Sequence, residues 1–97
     1  MFRHVVLFEW NSSATAERKQ EMTDALAKLP AAIPEIRGYH MGADAGINPG
    51  NAEFAIVADF DDRDGYLAYR DHPTHRDVIT HLINPIVAAR HAAQYEF

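Results

Sequence analysis

The chain has 97 residues, of which 47% are hydrophobic and 24% charged, and its net charge is −5. These values fit one soluble domain over residues 1–97 with a limited core. The acidic balance and the scattered Lys and Arg residues exclude a nucleic-acid partner, and no run of about 20 apolar residues exists to span a membrane. The lack of cysteine and of a signal-peptide pattern at the N-terminus predicts a cytoplasmic protein without disulfides.

The first predicted element is a strand from Phe2 to Trp10 with apolar residues on both faces. Because successive side chains of a strand point to opposite faces, Val5 and Leu7 share one face. The other face carries Phe2, His4, Val6, Phe8 and Trp10. A strand with one face in water would alternate apolar and polar residues. We therefore expect both faces of this strand to be covered.

A helix is predicted from about Ala14 to Leu29. The preceding segment, residues 11–13, offers turn and N-cap side chains, and Pro30 is expected to end the helix. Four apolar residues at helical spacing form its buried stripe: Met22, Ala25, Leu26 and Leu29.

Two further strands are predicted to form a hairpin-like pair. The weaker one runs from Ile36 to about Ala45, and turn-forming residues follow at 46–51. The next strand, Phe54 to Phe60, is again apolar on both faces, with Ala55 and Val57 on one of them. Its other face carries Phe54, Ile56, Ala58 and Phe60.

The second helical region is predicted in two pieces. The first begins at Asp61 and ends at His72, and the second has Pro73 at its first position and ends at Pro85. The buried side of the second piece consists of Val78, Ile79, Leu82 and Ile83. A last strand is predicted over residues 87–97.

The element order β-α-β-β-α-β predicts an α+β, ferredoxin-like fold with a four-stranded antiparallel sheet. Right-handed crossovers place the first and third strands at the centre, and helices cover one face of the sheet. The other face carries Val5, Leu7, Ala55 and Val57, which we expect to meet the same face of a second copy. The resulting assembly is a homodimeric α+β barrel. The alternative is a monomer with a small residual apolar patch.

The segment from Tyr69 to His75 holds the candidate chemistry. His75 falls in the first turn of a helix, where the helix dipole disfavours the imidazolium form, so a neutral ring can act as a base. Tyr69 is a candidate donor to a developing oxyanion, and His4 points towards the same layer. The competing interpretations are structural: His72 as a helix cap, and the other three side chains as packed core residues.

No motif indicates a cofactor or a metal. The sequence has no Gly-rich phosphate loop and no nucleophile elbow. The acidic and histidine side chains between Asp71 and Asp77 match no known spacing of metal ligands. We therefore predict neither.

Over essentially its whole length the chain resembles the stress-responsive A/B-barrel (Dabb) family of the dimeric α+β barrel superfamily. Four segments and the Leu29-Pro30 and Ile33-Pro34 pairs carry the resemblance: residues 4–8, 54–60, 69–75 and 95–97. It implies a ferredoxin-like fold whose sheets join across a dimer. The chain is also distantly similar to the plant olivetolic acid cyclases, whose aldol-step Tyr and His fall on Tyr69 and His75, and whose strand-one pocket His falls on His4.

Three functions follow as hypotheses. The first is a Dabb protein that binds a small apolar or aromatic ligand between sheet and helices, in a pocket formed by His4, Val6, Phe8, Phe54, Ile56, Tyr69, His72 and His75. The second is a cofactor-independent cyclase or isomerase of polyketide-like substrates, with His75 as base and Tyr69 as oxyanion donor. The third is a structural, stress-linked oligomer. An open cavity favours the first two, and a closed one favours the third.

Overall fold

The computed structural model describes all residues, Met1–Phe97, as one antiparallel sheet with helices on one face. The strands are β1 (Phe2–Trp10), β2 (Ile36–Ala43), β3 (Phe54–Phe60) and β4 (Val87–Glu96). The helices are α1 (Ala16–Ala27), α2 (Leu29–Ala32), α3 (Arg63–Asp71) and α4 (Pro73–Val78). The sheet order β2-β3-β1-β4 is the predicted ferredoxin-like arrangement, with β1 and β3 at the centre. None of the helices has both the length and the apolar character needed to cross a bilayer.

The two faces of the sheet differ in what covers them. In the antiparallel pairing of β1 with β3, Val5 lies opposite Val57 and Leu7 lies opposite Ala55, so these four side chains share one face. We call them the open sheet face, because none is buried and Leu7 is 37% exposed. The helix-facing set is buried: Phe2, His4, Val6, Phe8, Phe54, Ile56, Ala58 and Phe60.

The first helix is shorter than predicted at both ends. Thr15, not segment 11–13, caps it, and the Thr15 hydroxyl accepts a hydrogen bond from the Arg18 N–H at 3.2 Å. Pro30 does not end the helix, because α1 stops at Ala27 and Pro30 lies in the first turn of α2, where no helical N–H is needed. Three residues of the predicted stripe are fully buried against the sheet: Met22, Leu26 and Leu29.

Strand β2 also ends earlier than predicted, at Ala43. The carboxylate of Asp44 accepts hydrogen bonds from the Gly46 N–H at 2.9 Å and from the Asn51 side-chain amide at 3.1 Å. Gly46 has a φ of 75°, a conformation that residues with a side chain rarely adopt. These bonds turn the chain into the connection that leads to β3.

A tight corner joins α3 to α4 and brings Tyr69 and His75 together. Asp62 caps helix α3, because its carboxylate accepts a hydrogen bond from the Gly65 N–H at 2.9 Å. His72 caps α4, because its Nδ1 accepts a hydrogen bond from the Thr74 N–H at 3.2 Å. After Val78 the helix widens into a π-helical turn, Ile79–Ile83, an irregularity often found beside functional sites.

Candidate functional site

A cavity of about 310 Å³ opens between the helices and the sheet, next to β4. Its floor comes from β1 and β3, and its walls come from α3, α4 and the π-helical turn. The helix-facing residues of β4 are polar or small: Arg90, Ala92 and Gln94, opposite Phe8, Val6 and His4. Since β4 contributes no large apolar side chain opposite His4, Val6 and Phe8, the space beside these three residues stays unfilled.

Six of the residues predicted for the pocket line this cavity: His4, Val6, Phe8, Ile56, Tyr69 and His75. Phe54 and His72 do not line it. The Phe54 ring lies 5.5 Å from the Trp10 ring and 6.3 Å from the Phe8 ring, at the far end of the sheet, and His72 is engaged as the α4 cap. Strand alternation predicts the face on which a side chain lies, but not how far along that face the cavity extends. A ligand-binding role for the six stays a prediction.

His75 is buried and held in one tautomer. Its Nδ1 lies 3.2 Å from the carbonyl oxygen of Arg70, and because a carbonyl oxygen only accepts hydrogen bonds, the ring proton must be on Nδ1. The other ring nitrogen, Nε2, then carries a free lone pair. Burial lowers the pKa of His75, and the bond to the Arg70 carbonyl only partly opposes this effect. The ring is therefore neutral near pH 7 and able to accept a proton.

Tyr69 stacks on His75 and is hydrogen-bonded to a second phenol. The two ring centroids are 4.0 Å apart with planes inclined by 27°. The Tyr69 hydroxyl lies 2.9 Å from the hydroxyl of Tyr39 on β2. Burial raises the pKa of Tyr69 to about 12 and raises that of Tyr39 well above its usual value. Both phenols are therefore protonated, and when Tyr39 donates to Tyr69, the Tyr69 O–H is free to donate to another group.

His4 lies on the cavity floor and is neutral. Its Nδ1 is 2.9 Å from the side-chain nitrogen of Gln94 on β4, which donates to it. Its ring centroid is 4.8 Å from that of Tyr66. Burial, with smaller contributions from the charges of Arg90 and His75, lowers the pKa of His4 to about 4. His4 thus presents an Nε2–H donor, whereas His75 offers an Nε2 acceptor.

Several site residues were not predicted. Tyr39, Gln94, Arg76 and Arg90 all contact either the cavity or its predicted residues. Tyr39 could have been found from its spacing: it lies two residues from Met41 on β2, so both share one face. Gly38 and Gly42 obscure this pattern in the sequence. Arg90 and Gln94 could have been assigned to one face of β4 because an even number of positions separates them. No three His, Asp or Glu side chains lie close enough together to hold a metal ion.

Comparison with known proteins agrees with this fold. The Dabb family, described as the stress responsive A/B barrel domain, matches residues 2–97. A dimeric ferredoxin-like protein of unknown function from Thermobifida fusca is 47% identical, with a TM-score of 0.91 over 99% of this chain and 90% of that chain. A dimeric protein of unknown function from Bacteroides fragilis is 29% identical, with a TM-score of 0.81 over 99% and 95%. A Dabb family protein from Mesorhizobium loti, 22% identical with a TM-score of 0.83 over 99% and 95%, shares the fold. No curated protein matches the chain.

Proposed function

Because the chain belongs to the stress responsive A/B barrel domain (Dabb) family, we propose that it is a homodimer that binds a small apolar or aromatic ligand. The observation that carries this proposal is the open cavity of about 310 Å³ between sheet and helices, a size typical of small-molecule sites. We propose as well that residues 1–97 form a single domain and that the protein is cytoplasmic.

The open sheet face supports the homodimer. Its centre is apolar, and at one end lies a polar group in which Arg3 contacts Asp59 through two hydrogen bonds, at 2.7 and 2.8 Å. This contact holds the pKa of Asp59 below its usual range. An apolar centre with a polar rim is the usual composition of a protein interface. Two similar proteins, from Thermobifida fusca and Bacteroides fragilis, are described as dimeric.

The lining of the cavity supports a ligand with an apolar body. Aliphatic and aromatic side chains dominate the floor and the wall formed by the π-helical turn, including Val6, Ile56 and Ile79. The candidate residues among the lining differ in kind: His4 donates, His75 accepts, and Tyr69 carries a phenol. The other hydrogen-bonding residues of the lining are Arg70, Arg76, Asn84 and Arg90. Polar groups placed around an apolar floor orient a ligand.

Filling the cavity should weaken binding. We expect Ile79→Trp to weaken the binding of the neutral probe 1-naphthol by about tenfold or more, or about 1.4 kcal/mol, because the half-buried Ile79 lies at the cavity wall. Chemical-shift titration by NMR measures the affinity, and the perturbed amides should cluster around His4, Tyr69 and His75.

The matched control is Leu82→Trp, the same kind of change at a half-buried residue outside the cavity. This control should bind 1-naphthol as the wild type does. Shifts scattered over the surface, or equal weakening by both variants, would contradict a ligand site in the cavity. Absence of binding would favour the third hypothesis, a structural oligomer.

A second candidate function is cofactor-independent proton transfer, as in a cyclase or isomerase. The free Nε2 of the neutral His75 beside Tyr69 favours it. In this reaction His75 Nε2 accepts a proton from a carbon next to a carbonyl group, and Tyr69 donates a hydrogen bond to the enolate oxygen that forms. The imidazolium then returns the proton to the product.

Separate variants test this candidate. We expect His75→Ala to lower the turnover of a β-polyketone substrate by about 10²-fold or more, as loss of a general base does. Tyr69→Phe should lower it by a similar or smaller factor, because one oxyanion donor is lost. Product formation is followed by absorbance or mass spectrometry. No turnover by the wild type, or unchanged turnover in both variants, would rule out this function for polyketones.

A further inference from the structure

The charge around the cavity is opposite to that of the chain. The chain has 14 acidic and 9 basic side chains, yet three arginines and no Asp or Glu line the cavity. These arginines are Arg70 on α3, Arg76 on α4 and Arg90 on β4. Positive charge is therefore concentrated at the cavity of an otherwise acidic protein.

The three guanidinium groups are not equivalent. Arg70 is neutralised by its neighbour Asp71, with Nε 2.9 Å from one carboxylate oxygen. Arg76 is close enough to Asp71 that its charge helps to lower the Asp71 pKa. Arg90 forms no ion pair with any carboxylate. The strand β4 therefore contributes one uncompensated cation to the cavity.

Arg90 is positioned to meet a ligand that lies against the candidate residues. In the sheet it lies opposite Phe8 and thus on the helix-facing side. Arg90, His4 and His75 line the same cavity, and the charge of Arg90 contributes to the lowered pKa values of both histidines. The apolar Ile79 and Ile83 line the same cavity. Arg90, which has no carboxylate partner, therefore borders the apolar part of the cavity.

We propose that the cavity selects ligands in which an apolar or aromatic body carries an oxyanion, either a carboxylate or a phosphate, and that Arg90 binds this anion. The planar guanidinium group matches both oxyanions with two parallel hydrogen bonds. This inference rests on the proposed ligand-binding function and specifies the class of ligand. Arg76, on the opposite wall, supplies a second and weaker attraction.

Three probes with the same ring system test the selectivity: 1-naphthoate, 1-naphthyl phosphate and the neutral 1-naphthamide. Binding to the wild-type protein is measured by calorimetry at low and at high salt. We expect at least one anion to bind about tenfold more tightly than the amide, and its affinity to fall with added salt. The tighter of the two anions identifies the preferred oxyanion.

Two variants that each lose one positive charge distinguish direct binding of the anion by Arg90 from an effect of the protein's overall charge. Arg90→Gln should lower the affinity for the preferred anion about five- to tenfold and change the affinity for 1-naphthamide by no more than about twofold. Arg18→Gln, on α1 and outside the cavity, should change neither. Light scattering and circular dichroism establish that both variants keep the wild-type mass and fold.

The outcomes distinguish this inference from the function on which it rests. If 1-naphthamide binds as tightly as both anions, or if Arg90→Gln has no larger effect than Arg18→Gln, anion selection is wrong while ligand binding stands. If none of the three probes binds, the ligand-binding function itself is contradicted, and this inference with it.

Discussion

Replacing Val57 with aspartate should convert the protein from a dimer into a monomer or an unfolded chain. Val57 lies opposite Val5 at the centre of the open sheet face. A two-fold interface would bury the new carboxylate in both copies without a partner, at a cost of several kcal/mol per charge. Light scattering at micromolar concentration should give about twice the chain mass of 10.9 kDa for the wild type and a clear decrease for Val57→Asp.

Ala68→Asp is the control, because it adds the same charge on the exposed side of α3. We expect this variant to stay dimeric. Circular dichroism then tells whether Val57→Asp is a folded monomer or an unfolded chain, and either state supports an interface at the open sheet face. A monomeric wild type, or a Val57→Asp protein of unchanged mass and melting temperature, would show that this face is not an interface.

Acid should destabilise the protein through His4. Its pKa is about 4 in the folded protein, against about 6.5 in an unfolded chain. Between these values the unfolded state binds more protons, so the stability is complete above about pH 6.5 and is lost as the pH falls towards 4. The loss attributable to His4 is about 2 kcal/mol at about pH 5, and His75, whose pKa is also lowered, adds to it.

Urea unfolding at a fixed protein concentration, from about pH 7.5 to about pH 5, measures this effect. The free energy of unfolding of the wild type should decrease over this range. In His4→Gln the decrease should be smaller by about 2 kcal/mol, because glutamine does not titrate. His81→Gln removes an exposed imidazole outside the cavity and should keep the wild-type profile. An NMR titration that places the His4 pKa near its ordinary value would contradict the argument.

The binding and enzymatic candidates place different demands on the same side chains. For binding, His75 and Tyr69 only need to orient a ligand. His75→Ala would then lower the affinity for the ligand, and no reaction would occur in either protein. For proton transfer, the free Nε2 of His75 must meet an acidic carbon. The proposed anion contact at Arg90 applies to both, because a fixed oxyanion would orient the ligand relative to that nitrogen.

The candidate site was only partly predictable from the sequence. Residues on β1, such as His4 and Val6, could be assigned because strand alternation gives their face and the helices must cover it. Phe54 was expected in the cavity because it shares that face, but its ring packs against Trp10 and does not line the cavity. His72 was also expected there, but its ring nitrogen is used by the α4 cap.

The sequence by itself determined the order of the elements, the central positions of β1 and β3, and the apolar character of both their faces. The elements and their apolar faces follow from side-chain periodicity, which is local, and the central positions follow from the right-handedness of the crossovers. The chemistry of the cavity, in contrast, depends on contacts between residues that are far apart in the chain. Tyr39 meets Tyr69 across 30 positions, and Gln94 meets His4 across 90. Such pairings depend on strand register and helix packing, which the glycine-containing β2 and the alanine-rich β4 specify only weakly.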